Sequence, residues 1–299
     1  MERNSQIVAM VGPKGGVGKT TISANLSIAL AQLGQKVVVV DLDLGASNLH
    51  TVFGIRNVPF SLTDFILNKV PHLSQLLLKT DIPHLDIICG GDIPGVANLH
   101  YSKKLKLIRN VSAISCDYLV LDLSAGASMN VIDFVMIAQQ SLLITTPEVP
   151  SLLNAYSFIK SLLFRRLALS FTRQKQDSLL ELMERAKDFD AHPELKTMQG
   201  IIKETKRIAP EAVVTIEKIL SGVQPIIVVN RARAEKDMNA GAVIQHLMNQ
   251  YLNIQSSLVV KVREDDAVGV ACAKLKPALL NAPKSGFAKD IQSIAGMLC

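Results

Sequence analysis

The sequence predicts an α/β fold: a doubly wound, mostly parallel sheet interrupted by one α-helical insertion. Three observations carry that prediction. Runs of Val, Ile and Leu recur along the 299 residues without polar alternation, the pattern of strands buried on both faces. The stretch from Ile7 to Asp41 reads as strand, glycine-rich turn, helix and strand, a βαβ unit whose crossover is right-handed. Residues 164–222, by contrast, show helical periodicity and no strand-like run.

Taken in order, Ile7–Val11 is the first strand and Thr21–Leu33 the first helix, with Ile22, Leu26, Ala29, Leu30 and Leu33 on one face. Gly34 stands where a left-handed residue ends a helix. Lys36–Asp41 is a buried strand closing on a carboxylate. Parallel strands end together, so the loop Asp41–Gly45 lies at the same edge as the glycine turn. Ser61 caps a helix over Leu62–Lys69, Leu85–Cys89 is a short strand, and Ser102–Ser115 is a helix. Tyr118–Asp122 repeats the strand-to-Asp pattern and leads through Ser124–Ser128 into a helix over Val131–Ala138. Ser141–Thr145 is a strand ending at Thr146-Pro147-Glu148, and a helix begins near Ser151.

In the insertion, Leu179, Leu182, Met183 and Ala186 form one apolar set. Met198, Ile201, Ile202, Thr205 and Ile208 form a second, and Val213, Ile216, Ile219 and Leu220 a third. The α/β pattern resumes with Pro225–Asn230, a helix around Ala242–Leu252, a strand at Leu258–Val262 and a helix from Phe287 to Met297. Without a repeat or low-complexity linker, one domain over 1–299 is expected, with the insertion at 164–222 inside it.

Composition narrows the class. Hydrophobic residues at 48% and charged residues at 19% exclude a disordered chain, and the absence of Trp makes the core aliphatic. The net charge of +6 permits contact with DNA or an anionic membrane without demanding it. Cys89, Cys116, Cys272 and Cys299 are too scattered for a disulfide framework or a CxxC zinc site, so free thiols are expected. No apolar run approaches the roughly 18 residues of a membrane span. The first strand begins too early for a signal peptide, so a cytoplasmic protein is expected.

The chemistry is concentrated in Gly12-Pro13-Lys14-Gly15-Gly16-Val17-Gly18-Lys19-Thr20, between the first strand and the first helix. Backbone N–H groups from Gly15, Gly16, Val17, Gly18, Lys19, Thr20 and Thr21 would line one concavity, where the helix dipole also favours negative charge. Lys19 would reach the terminal phosphates of a nucleotide, and the Thr20 hydroxyl would ligate Mg²⁺. The usual first glycine of such a turn falls at Pro13, and a second lysine, Lys14, precedes the paired glycines. Three strand-end aspartates, Asp41, Asp43 and Asp122, gather at the same edge.

KGGVGKTT after a strand resembles the variant (deviant) phosphate loop of the MinD/ParA family of dimeric P-loop ATPases, in which the extra lysine is a signature. The likeness covers about residues 5–160 and 225–298 and is closest to the MinD/FlhG-like branch. Gly45–Leu49 is similar to that branch's first switch loop, Ala125-Gly126 to its second, and Thr145–Val149 to its next strand end. The resemblance implies a homodimer when ATP and Mg²⁺ are bound, with Lys14 crossing to the partner's nucleotide, where a second cation offsets phosphoryl charge as an arginine finger does. It implies that Asp43 orients the attacking water, that Asp41 and Asp122 support the Mg²⁺ shell, and that Asn230 reads the adenine edge with Arg231 stacked on it. Glu148 would touch the partner's ribose, and Arg263–Ala267 would pack on the base.

Some features depart from that family. The proline usual within Arg263–Ala267 is missing, and His50 stands where many relatives have Asp. The helix near the C-terminus carries Phe287, Ile291, Ile294, Ala295 and Leu298 on one side, opposite a nearly neutral face of Lys289, Asp290, Gln292 and Ser293. That pattern suits core packing, not a membrane anchor. The expectation is an ATP-hydrolysing dimerisation switch that regulates cell-division or flagellar placement through a protein partner. The alternatives are a partition ATPase binding nonspecific DNA and, against the cysteine spacing, a metal-cluster carrier.

Overall fold

The computed structural model describes residues 5–91, 99–255 and 258–299. Its strands are β1 (Gln6–Val11), β2 (Val37–Leu42), β3 (Leu77–Lys79), β4 (Leu85–Ile88), β5 (Tyr118–Leu123), β6 (Gln140–Thr145), β7 (Ile226–Ala232) and β8 (Val259–Arg263). Its helices are α1 (Lys19–Gln32), α2 (Leu49–Val52), α3 (Leu62–Ile66), α4 (Tyr101–Ser112), α5 (Met129–Val135), α6 (Val149–Arg173) and α7 (Asp177–Arg185). They continue with α8 (Met198–Ile208), α9 (Val213–Ser221), α10 (Asn239–Leu252), α11 (Asp266–Ala273), α12 (Ala278–Asn281) and α13 (Gly286–Leu298).

The strands form one sheet in the order β3-β4-β2-β5-β1-β6-β7-β8. Every neighbouring pair is parallel except β3–β4, which is antiparallel at the edge. The expected mostly parallel, doubly wound sheet is therefore what the chain forms. β3 and the short helices α2, α11 and α12 are additions to the sequence reading, because three to eight residues are too few to show a clear period.

Side chains alternate along each strand, and both faces are buried in the central strands β1, β2 and β5. Ile7, Ala9 and Val11 of β1 face one layer with Val38, Val40, Leu119 and Leu121, covered by α3 to α10. Val8 and Met10 face the other with Val37, Val39 and Val120, covered by α1, α2 and α11 to α13. The one-sided apolar face expected for α1 is broader than that. Ser23, Asn25 and Ser27 are also fully buried: Ser23 is bonded to Asp122 of β5, while Asn25 meets α12, which with α13 covers the side of α1 that faces away from the sheet. Leu33, expected inward, is the C-cap residue and is 52% exposed.

The expected boundary at residue 164 falls inside α6, which runs unbroken from Val149 to Arg173. Beyond it, α7, α8 and α9 bury Leu179, Leu182, Met183, Met198, Ile201, Ile216 and Leu220 in the same layer as α6 and α10. At the far end, Phe287, Ile291, Ile294, Ala295 and Leu298 of α13 are all buried against α1 and β8. The Tyr118 hydroxyl donates to the Leu298 carbonyl at 2.6 Å and fixes that end to β5. Among the described residues, no helix is long and apolar enough to cross a membrane.

Candidate functional site

β1 lies between β5 and β6, so the turn after it is flanked by the loops that follow those two strands. The turn closes on left-handed glycines, Gly16 at φ 78° and Gly18 at φ 90°, the latter serving as the N-cap of α1. A Cβ on Gly18 would lie 2.4 Å from the Asn230 Nδ2. The loop after β5 is tied to the turn by the Gly126 N–H, which donates to the Gly12 carbonyl at 3.2 Å.

Lys19 and Asp122 come together beneath this turn. The buried Lys19 Nζ donates to Asp122 Oδ1 at 2.9 Å and lies 3.5 Å from the Thr20 hydroxyl. Ser23 Oγ, one turn further along α1, donates to the same Oδ1 at 2.8 Å. Asp122 Oδ2 is buried and takes no hydrogen bond among the described residues. Such an atom carries an unmet desolvation cost, which a cation or its hydration water would relieve.

Asp41 and Asp122 stand opposite each other in the β2–β5 register. Burial, together with the neighbouring Asp122 charge, pushes the Asp41 carboxyl up to about 6 against the opposing pull of its hydrogen bonds. Those bonds come from the Ser47 hydroxyl at 2.7 Å and the backbone N–H groups of Asp43 and Leu49 at 3.0 and 3.1 Å. Both oxygens of Asp41 thus organise the loop that follows β2. Asp43, half-buried, accepts from the Ser124 hydroxyl at 3.1 Å.

Asn230 is anchored to the turn. Its buried Nδ2 donates to the Val17 carbonyl at 2.7 Å, so the amide braces the turn while its second N–H and its Oδ1 are not used by that bond. Arg231 is exposed with φ 58°. Arg263 and Asp265 of the expected base-packing segment are tied to α13. Arg263 is paired with Asp290 at 2.7 Å, and Asp265 accepts from Phe287 N at 3.2 Å.

Lys14 is exposed, and among the described residues it makes no hydrogen bond or ion pair within contact distance. Hydrogen bonding by Thr146 holds the exposed Glu148 carboxyl below its usual range, with Lys14 and Arg231 adding to the effect. The sequence reading missed Ser23 and Ser124. Ser23 had a signal, since four residues after Lys19 it shares that residue's helix face. The Ser124 contact depends on how two loops close and had none.

The family model described as the CobQ/CobB/MinD/ParA nucleotide binding domain matches residues 8–278. The antiactivator FleN of Pseudomonas aeruginosa is 36% identical over 159 residues, 52% of this chain and 56% of FleN. The septum site-determining protein MinD of Thermotoga maritima is 33% identical over 150 residues, 50% of this chain and 55% of that protein. The chain therefore spans about half the length of the curated relatives it matches. Among solved structures, the Pyrococcus furiosus cell division ATPase MinD aligns at a TM-score of 0.65, 21% identical, over 98% of both chains. MinD of Pyrococcus horikoshii, solved with Mg-ADP, aligns at 0.65 and 21% identity over 98% of this chain and 96% of its own. At that identity the structural likeness is one of fold. The glycine-rich turn, the loops after β2 and β5 and Asn230 all lie within the matched span, and the chain belongs to the CobQ/CobB/MinD/ParA nucleotide-binding family.

Proposed function

We propose that the chain binds Mg-ATP, pairs face to face with a second copy and hydrolyses ATP slowly, as a switch that recruits and releases a protein partner. The observation that carries this reading is the contrast between the two lysines of one turn. Lys19 is buried and paired with Asp122, whereas Lys14 is exposed beside the exposed Glu148. A cation left outside its own site is suited to another subunit's nucleotide. Lys19 would exchange Asp122 for the terminal phosphates, a charge-for-charge replacement inside a buried site.

Thr20, Asp122 and Asp43 are the groups that would hold Mg²⁺, directly or through its waters. The unpartnered Asp122 Oδ2 fits a hard cation that prefers oxygen. When bound, Mg²⁺ would offset the negative charge on the β- and γ-phosphates. Backbone N–H groups of Gly15 to Thr21 would hold the phosphates, Asp43 would orient the attacking water, and the crossing Lys14 would stabilise the charge developing on the transferred group.

The role in the cell follows the relatives. FleN is described as an antiactivator and MinD as a septum site-determining protein, and an Aquifex aeolicus MinD has been solved with MinC. We place this chain with regulators of flagellar or division placement that act through a protein partner. A metal-cluster role is disfavoured by the thiols, since Cys89 and Cys116 are buried and, among the described residues, no group of three or more His, Cys, Asp or Glu side chains gathers to hold a metal ion. The reading is tested by phosphate release. Lys14→Ala should lower turnover about 100-fold while ADP binding is unchanged. Wild-type turnover in that variant would remove the crossing lysine from the mechanism.

A further inference from the structure

Asp43 is held from across the gap between the two switch loops. Its Oδ1 accepts the Ser124 hydroxyl at 3.1 Å, and the same hydroxyl lies 3.3 Å from the Leu42 carbonyl. A hydroxyl carries one proton, so it serves one acceptor at a time, and the charged carboxylate makes the stronger bond. The other carboxylate oxygen of Asp43 takes no hydrogen bond among the described residues. Beside the contact lies a cavity of about 280 Å³ walled in part by Leu42, Leu44, Leu123, Val131 and Phe134. Packing around Ser124 is therefore loose on that side, and the orientation of Asp43 depends on the hydrogen bond more than on steric enclosure.

We infer that Ser124 is a positioning residue for Asp43: its hydroxyl fixes the carboxylate and leaves the second oxygen free to accept a hydrogen bond from the attacking water. The inference rests on the proposed role of Asp43 in orienting that water. It separates two jobs in the second switch region, Asp122 beneath the phosphates and Ser124 reaching across to the first loop.

The test is steady-state phosphate release with Mg-ATP for the wild type, Ser124→Ala, Ser124→Thr, Asp43→Asn and the combination of Ser124→Ala with Asp43→Asn, each checked for an unchanged melting temperature. Ser124→Ala should lower kcat about 10- to 100-fold and leave KM within about twofold, the signature of lost orientation rather than lost binding. Ser124→Thr keeps the hydroxyl, its added methyl has the cavity to enter, and turnover should recover. With Asp43→Asn already present, Ser124→Ala should cost nothing further. Wild-type kcat in Ser124→Ala alongside a crippled Asp43→Asn overturns the role of Ser124 alone. So does an equal Ser124→Ala loss with and without Asp43→Asn, or a folded Ser124→Thr that stays inactive. Full turnover in Asp43→Asn, or none in the wild type, overturns the reading of Asp43 and this inference with it.

Discussion

Gly18 shows how much one residue decides. Its φ of 90° is open to glycine at little cost, and a side chain there would push into the Asn230 amide that braces Val17. Gly18→Ala should therefore lose about 1–2 kcal/mol to the left-handed backbone alone. Nucleotide affinity should fall as well, because either the turn or Asn230 must move. Thermal melting and ADP titration calorimetry read the two effects separately, and unchanged values in both would show that the turn tolerates a Cβ. The same residue explains part of what could be read in advance. Glycine spacing and Lys-Thr announce a phosphate turn because backbone sterics demand those residues. The bond from Asn230 to Val17 joins positions more than two hundred apart in sequence, and no local pattern encodes it.

At the scale of elements, three helices on one face of the sheet meet at a single carboxylate. Asp133 of α5 is paired with Lys104 of α4 and takes two bonds from Arg165 of α6, at 3.0 and 3.3 Å. Burial works to raise the Asp133 carboxyl, but hydrogen bonds from Arg165 and Lys104 outweigh it and hold the group below its usual range. Removing it strands a buried lysine, so Asp133→Ala should cost about 3–5 kcal/mol in denaturant unfolding at neutral pH. Because the folded-state pKa lies below the unfolded value, the stabilisation is complete above pH 3.8 and is lost as the pH falls through the folded value. The gap between wild type and variant should thus stay level from about pH 8 to 5 and narrow below 3.8; a gap that changed near neutrality would point to a different group.

Those helices were legible where their periods were long. The twelve residues of α4 and the apolar sets of α7 to α9 show the spacing clearly. The end of α6 was not. Its sequence continues in helical rhythm through residue 164, where the expected insertion begins, so only the folded chain shows one helix there. The aspartates were found because buried strands ending in a carboxylate stand out. What each carboxylate bonds to was not legible, since Asp41 turns into its own loop and Asp43 toward Ser124.

Across the molecule, the helices after β5 and β6 begin at the edge that carries Lys14. Met129, Val149 and Leu153 there are 58%, 66% and 54% exposed. Apolar residues beside an unpaired lysine suit a face that a second copy would cover. Leu153→Glu should weaken ATP-dependent dimerisation, read by sedimentation velocity, about tenfold or more while nucleotide binding by the monomer persists. An unaltered dimer would place the contact elsewhere.

The clamp on α1 has a consequence for how the chain is made. The helix carrying Lys19 and Thr20 is closed on its outer side by α12 and α13, and Asn25 accepts from Leu279 N at 2.7 Å across 254 positions of sequence. During synthesis the phosphate turn emerges some 254 residues before the segment that seals its helix. Contacts so distant in sequence form slowly, after a large loss of chain entropy. The turn should therefore remain unable to hold a nucleotide on the ribosome until residues 278–298 have cleared the exit tunnel, a delay that nucleotide binding by stalled chains of increasing length would read.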